Sequence, residues 1–119
     1  MTVISDNAGV ESLAGIMGGS GSGCTDKTEN VFIEAAYFNP ITTAYTGREL
    51  KINSDARYRF ERGIDPEWAV FGIEAATKMI IELCGGEPSE VVQAGEIPNH
   101  GRAYKVDTCL LYTSPSPRD

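Results

Sequence analysis

The chain has 119 residues, with 17 Asp and Glu against 10 Lys and Arg, for a formal net charge of −7. That length suffices for one small domain with its own core and not for two. The acidic balance excludes a protein drawn to nucleic acid or to an anionic membrane by its overall field, so any contact with nucleic acid has to be local.

The chain opens with a β-branched run, Thr2–Ser5, and a second apolar run, Ser12–Met17. Asp6-Asn7-Ala8-Gly9 between them carries turn chemistry, because Asn and Gly tolerate positive φ, and together they predict a β-hairpin. Gly18 to Asn30, "GGSGSGCTDKTEN", reads as an exposed loop. Its first part, "GGSGSGCT", has the glycine spacing of a phosphate loop, but Cys24 stands where the lysine belongs and no helix follows to hold an anion, which excludes nucleoside triphosphate binding. A plain turn, or a main-chain wall that lets a planar ligand come close to Gly18 and Gly19, both remain open.

Val31–Phe38, "VFIEAAYF", predicts a strand. Alternation puts Phe32, Glu34, Ala36 and Phe38 on one face, and Glu34 is then the single charge of an apolar element. A carboxylate so placed has to be paired, hydrogen-bonded or protonated. Two readings follow: an ion pair with Arg48, Arg57, Arg59 or Arg62, or an acceptor facing a ligand at the bottom of an apolar pocket.

Asn39 is a natural N-cap and Pro40 a natural first residue for a helix over "PITTAYTGRELKI", with Gly47 weakening its interior. Ser54 can cap a short turn in "SDARYRFERGIDP", where Asp55–Arg59 and Arg57–Glu61 have i,i+4 spacing. Acids and bases interleave through this stretch, which favours a salt-bridged corner over a nucleic-acid surface. Asp65 to Gly86 is the clearest helix, capped by Asp65, begun by Pro66 and Glu67, and stopped by Gly85-Gly86. Ala69, Ile73, Ala76, Ile80 and Leu83 or Cys84 form an apolar stripe that is expected in the core. Glu90–Ala94 and Arg102–Val106 read as short strands. The last residues, 109–119, contain Ser-Pro-Ser-Pro, break the pattern and read as a non-native extension.

Cys24, Cys84 and Cys109 are far apart, no Cys-x-x-Cys pair exists, and His100 is the single histidine. Neither a disulfide framework nor a metal site is expected, and Cys84 reads as a buried thiol. No secretory leader is visible and no apolar run approaches the ~20 residues of a membrane helix, which makes reducing cytoplasm the expected compartment.

"LAGIMGG", "TENVFIEAAYF", "NSDARYRFERGIDP" and "IIELCGG" occur in this order at short spacing. Together they closely resemble the bacterial phenylalanyl-tRNA synthetase β chains, in their tRNA-editing domain, from about Thr2 to about Thr108. The resemblance implies an α+β fold with mixed or antiparallel sheets packed with helices, and a partial editing domain over residues 1–108. It implies a partner α chain that charges tRNA(Phe) with phenylalanine, using ATP and magnesium at a site outside this chain. No cofactor is implied for the fragment itself. The implied activity of the editing domain is hydrolysis of tyrosine wrongly attached to tRNA(Phe), with the tRNA acceptor end as ligand.

Residue by residue, Glu34 matches the glutamate that contacts the tyrosine hydroxyl, Gly18 the glycine beside the substrate, and Ala56 the small residue that leaves room for it. Ser54 stands where many relatives carry threonine. Gly19 and Asn53 are expected beside the same pocket. No Ser–His–Asp or Cys–His constellation is available, so a positioned water, main-chain donors near Gly18 and Gly19, and the tRNA ribose are expected to carry the hydrolysis. The family also uses residues upstream of Met1, including a pocket histidine. The chain therefore reads as a fragment that begins at an internal methionine and is not expected to edit by itself. Two other functions fit the same residues: a non-catalytic module that helps place tRNA within the β chain, and a free-standing hydrolase acting on misacylated tRNA in trans.

Overall fold

The computed structural model describes residues 1–107 and 109. Three short strands, β1 (Val3–Ser5), β2 (Val10–Leu13) and β3 (Met17–Gly18), precede three helices, α1 (Pro40–Glu49), α2 (Asp55–Phe60) and α3 (Trp68–Cys84). The strands form one antiparallel sheet in the order β1-β2-β3, with Val3 opposite Leu13 and Ser12 opposite Gly18. The architecture is thus α+β.

The first hairpin closes as its turn residues require. The Asp6 carboxylate accepts from the main-chain N–H groups of Ala8 (2.7 Å) and Gly9 (3.0 Å), and Gly9 takes a positive φ of 152°. The second apolar run does not form one strand. Its start completes β2, and Ala14-Gly15-Ile16 then turns the chain into β3, with Gly15 at φ 68° and Ile16 N–H bonded to the Leu13 carbonyl. A three-residue loop with glycine in the left-handed region is a common hairpin connection, and "LAGIM" contains one where continuous apolarity suggests a longer strand.

Ala14 and Ile16, in that loop, are the buried hydrophobic residues of the described chain. Gly15 between them lies against a tilted aromatic pair, Phe38 and Phe60, whose ring centres are 5.2 Å apart. This small cluster joins the sheet to the segment before α1 and to the end of α2.

Asn39 caps α1 as expected, accepting from Ile41 and Thr42 N–H at 3.0 and 3.1 Å, with Pro40 as first helical residue. The helix ends in a two-bond closure: Ile52 N–H to the Gly47 carbonyl and Lys51 N–H to the Arg48 carbonyl. Lys51 takes the left-handed conformation, φ 55°, that such a closure needs. Gly47 is buried rather than a weak point, because its bare face receives the Arg57 side chain. Ser54 caps α2 by accepting from Arg57 N–H, also as expected.

Several expectations are corrected. Val31–Phe38 pairs with no strand, and Phe32 is 92% exposed. A strand needs a neighbour for its main-chain groups, and none lies beside this segment among the described residues. Glu90–Ala94 and Arg102–Val106 likewise form no strand, and residues 85–107 are exposed throughout. The α3 stripe is apolar where the pattern places it, since Ala69, Ile73, Ala76 and Ile80 are half-buried, but no residue of α3 is buried and Leu83 and Cys84 are exposed. The stripe is therefore not core. Asp65 accepts from Glu67 N–H at 3.0 Å and leads into α3, whose regular turns start at Trp68, and Gly85 at φ 75° ends it. Residues 110–119, the expected extension apart from Cys109, lie outside the described residues.

Candidate functional site

The sheet, the 34–38 segment, α2 and the start of α3 surround an open cavity of about 660 Å³. Ser12, Leu13, Met17 and Gly18 of the sheet line one side, with Gly15 and Ile16 from the turn. Glu34, Ala35, Ala36 and Phe38 line the next, and Ser54, Ala56 and Phe60 a third. Trp68, Ala69 and Gly72 of α3, with Ile64 and Asp65, complete the lining. The wall is mostly apolar.

Four of the six residues singled out from the sequence, Gly18, Glu34, Ser54 and Ala56, come together here from four parts of the chain. Gly18 has open space where a side chain would project, so its main chain is accessible from the cavity. Gly19 and Asn53 do not line it. A Cβ on Gly19 would fall 2.0 Å from the Glu11 carbonyl oxygen, so glycine there permits close packing on β2. Asn53 lines a second recess of about 320 Å³, which shares Ser54 with the cavity, with Asp55, Arg57, Tyr58 and Glu61, and its side-chain oxygen accepts from Arg57 at 2.8 Å.

Glu34 is not the buried strand residue that alternation suggests. It stands exposed at the cavity rim, and burial of part of its surface against the wall pushes its carboxyl pKa up. Among the described residues no arginine pairs with it. Arg57 pairs with Glu61 (3.0 Å), Arg62 pairs with Glu61 (3.3 Å) and lies over the Tyr58 ring, and Arg48 and Arg59 form no ion pair among the described residues. Asp55–Arg59, expected from its spacing, does not close. The other carboxylate in the wall, Asp65, is engaged in turning the chain into α3.

Ser54 is also engaged. Its hydroxyl donates to the Ile16 carbonyl and accepts from Arg57 N–H at 3.1 Å. The single hydroxyl proton is thereby used within the protein, which leaves one acceptor position for a ligand. His100 lies elsewhere, its ring near the Pro98 carbonyl (3.0 Å) and the Glu67 carboxylate (3.8 Å). Neither Cys24 nor Cys84 lines the cavity. Among the described residues no group of three or more His, Cys, Asp or Glu side chains could hold a metal ion. The wall can therefore enclose an apolar body and offer one carboxylate to a hydroxyl or an amine.

Phe38, Phe60 and Trp68 were not anticipated as wall residues. Phe38 shares the alternation of Glu34 and could have been grouped with it; Phe60 and Trp68 carry no such signal, because only the docking of α2 and the start of α3 brings them there.

The sequence matches the B3/4 domain family over residues 1–85. It is 61% identical over 107 residues to the phenylalanine–tRNA ligase beta subunit of Ruegeria pomeroyi, covering 90% of this chain and 13% of that protein. It is 63% identical over 105 residues to the protein of the same name from Cereibacter sphaeroides, covering 88% and 13%. The chain thus spans about an eighth of the length of these relatives, and no solved structure matches it. The match over most of its length, with the sheet, α1, α2 and α3 inside the matched span, places the chain in the B3/4 domain family.

Proposed function

We propose that the cavity is the amino-acid pocket of a proofreading site in a phenylalanine–tRNA ligase β subunit, where tyrosine wrongly esterified to tRNA(Phe) is hydrolysed. The observation that carries this reading is the convergence of Gly18, Glu34, Ser54 and Ala56 on one mostly apolar cavity, with the Glu34 carboxylate in no ion pair among the described residues. Its volume lies within the range of about 300–1,000 Å³ usual for small-molecule sites. The names of the relatives support the setting.

An apolar pocket shaped for phenylalanine rejects tyrosine poorly, because the extra hydroxyl costs it little. A second pocket with a partner for that hydroxyl discriminates in the other direction. Glu34 supplies the partner by accepting from the phenol. Phenylalanine leaves the partly desolvated carboxylate without a donor, which disfavours its entry. Ala56 keeps the wall small. The reaction adds water to the ester carbonyl and expels the ribose oxygen of the tRNA, which takes up a proton, giving free tyrosine and intact tRNA. The accessible main chain at Gly18 is placed to approach the ester end, and no side chain of the wall is assigned as nucleophile.

The ligation reaction, with its ATP and magnesium, is assigned to the α chain of the parent assembly, and the tRNA acceptor end and that α chain are the proposed partners, in the cytoplasm. The test places this segment in the full-length β subunit of a relative, copurified with its α chain. Glu34→Ala should slow tyrosine release from tyrosyl-tRNA(Phe) by roughly 10- to 100-fold, the worth of a hydrogen bond to a charged group, with phenylalanine charging intact. Equal release by parent and variant would leave the cavity without this role.

A further inference from the structure

Arg57 lies outside the cavity wall, yet it holds together the parts that set the wall. Its side chain is 11% exposed and makes three contacts in different directions. Nη1 donates to the Ile52 carbonyl (2.7 Å) and to Asn53 Oδ1 (2.8 Å), which fixes the link between α1 and Ser54. Nε donates to Glu61 Oε2 at 3.0 Å, which fixes the far end of α2. Its stem crosses the bare face of Gly47 in α1, so closely that a Cβ on Gly47 would fall 2.3 Å from Arg57 Cδ and Nε. From the main chain, Arg57 N–H bonds the Ser54 hydroxyl, and that hydroxyl bonds the Ile16 carbonyl beside the cavity.

We propose that Arg57, seated on Gly47, is a positioning residue that sets the first turn of α2, and so where Ser54 and Ala56 stand in the pocket, without touching the ligand. This rests on the proposed function of the cavity and deepens it. Ser54 and Ala56 precede Arg57 by three residues and one, so a rotation of this turn moves both wall residues together. A planar guanidinium with several fixed N–H groups can serve Ile52, Asn53 and Glu61 at once, and a lysine ammonium cannot reproduce that fork. Gly47 is required because any side chain there displaces the guanidinium stem, which its own hydrogen bonds hold in place. Ser54 transmits the setting to the sheet through a hydroxyl whose donor and acceptor roles are both used.

The test uses the full-length β subunit with its α chain, measuring kcat and KM for tyrosine release well below the melting temperature of each variant. Arg57→Lys should lower kcat by roughly 10- to 100-fold, the usual cost of a small misplacement near the reacting atoms, with KM within about threefold and phenylalanine charging unchanged. Gly47→Ala should do the same. The double variant should be no worse than either alone, because both remove one device. Glu61→Gln, which keeps an acceptor for Arg57 Nε and loses the charge, should lower kcat by about threefold. Ser54→Thr should restore what Ser54→Ala loses.

Parental kcat and KM in Arg57→Lys or Gly47→Ala would overturn the proposal, as would a lowered melting temperature with unchanged kinetics, since Arg57 would then act on stability alone. Glu34→Ala run in parallel separates this failure from that of the pocket. If Glu34→Ala is inactive while the Arg57 variants are active, the pocket stands and the positioning role falls. A fully active Glu34→Ala sinks the pocket reading, and this inference with it.

Discussion

The corner formed by α1 and α2 differs from α3 in how it uses its sequence. Helix α1 carries a weak apolar pattern, with Thr, Gly, Arg and Glu through its body, yet Thr43, Thr46 and Gly47 are buried. Both of its ends are closed by named hydrogen bonds, from Asn39 at the start and through Lys51 and Ile52 at the finish. Helix α3 is longer, 17 residues, and its apolar stripe is unmistakable in the sequence, yet the stripe is at most half-buried and no residue of the helix is buried. The difference shows that an amphipathic pattern determines that a helix forms and which face is apolar, whereas burial requires a complementary surface. Arg57 and Gly47 give α1 and α2 such a surface within a dozen residues of chain. No surface among the described residues does the same for α3.

The largest expected effect lies where the sheet meets the aromatic pair. Gly15→Ala would force a side chain into the left-handed region and bring a Cβ to 2.9 Å from Phe38 Cδ2 and 3.0 Å from Phe60 Cγ. A loss of about 2–3 kcal/mol is expected from strain and overpacking together. Urea unfolding of this chain followed by circular dichroism measures it. An unchanged midpoint would mean that the contact between the sheet and Phe38–Phe60 is not what holds the cavity side together.

Local chemistry made part of this legible beforehand. The Asp6–Gly9 turn, the Asn39-Pro40 start, the Ser54 cap and the Gly85 stop each depend on one or two residues whose preferences do not need a partner far away. Arg57–Glu61 was legible for the same reason. Val31–Phe38 was not, because alternation records which residues are apolar and says nothing about whether a neighbouring strand is present to pair with them. Glu34 reads as a buried acid from alternation and stands instead exposed where it lines the cavity. The second apolar run hid a turn because Ala14 and Ile16 are buried within it, so hydrophobicity did not fall where the chain reversed. The Ser54 cap on Arg57 N–H follows from local chemistry, but only the fold could show that the same hydroxyl also donates to the Ile16 carbonyl.

In α3 the same kind of deletion should cost far less. Ile80→Ala at a buried site would cost about 2–5 kcal/mol, but Ile80 is half-buried on a helix with no buried residue, and alanine is the better helix former. We expect about 0.5 kcal/mol or less in this chain. A loss near that of Gly15→Ala, in the same urea titration, would erase the contrast and mean that α3 is held as firmly as the corner.

The smallest effect concerns Glu34 and has a definite sign. Partial burial raises its pKa in the folded chain, so folding favours the protonated form. Its favourable contribution is fully present below the unfolded carboxylate value, about 4, and is lost as pH rises through the raised folded value. Glutamine carries no charge to desolvate. Glu34→Gln should therefore be at least as stable as the parent at neutral pH, and the gap should close as the medium is acidified. Urea midpoints at neutral and acidic pH test this. A variant less stable than the parent at neutral pH would show that the carboxylate has a stabilising partner in the folded chain, which is the ion-pair reading of Glu34; a variant equal or better keeps the carboxylate available for a ligand hydroxyl.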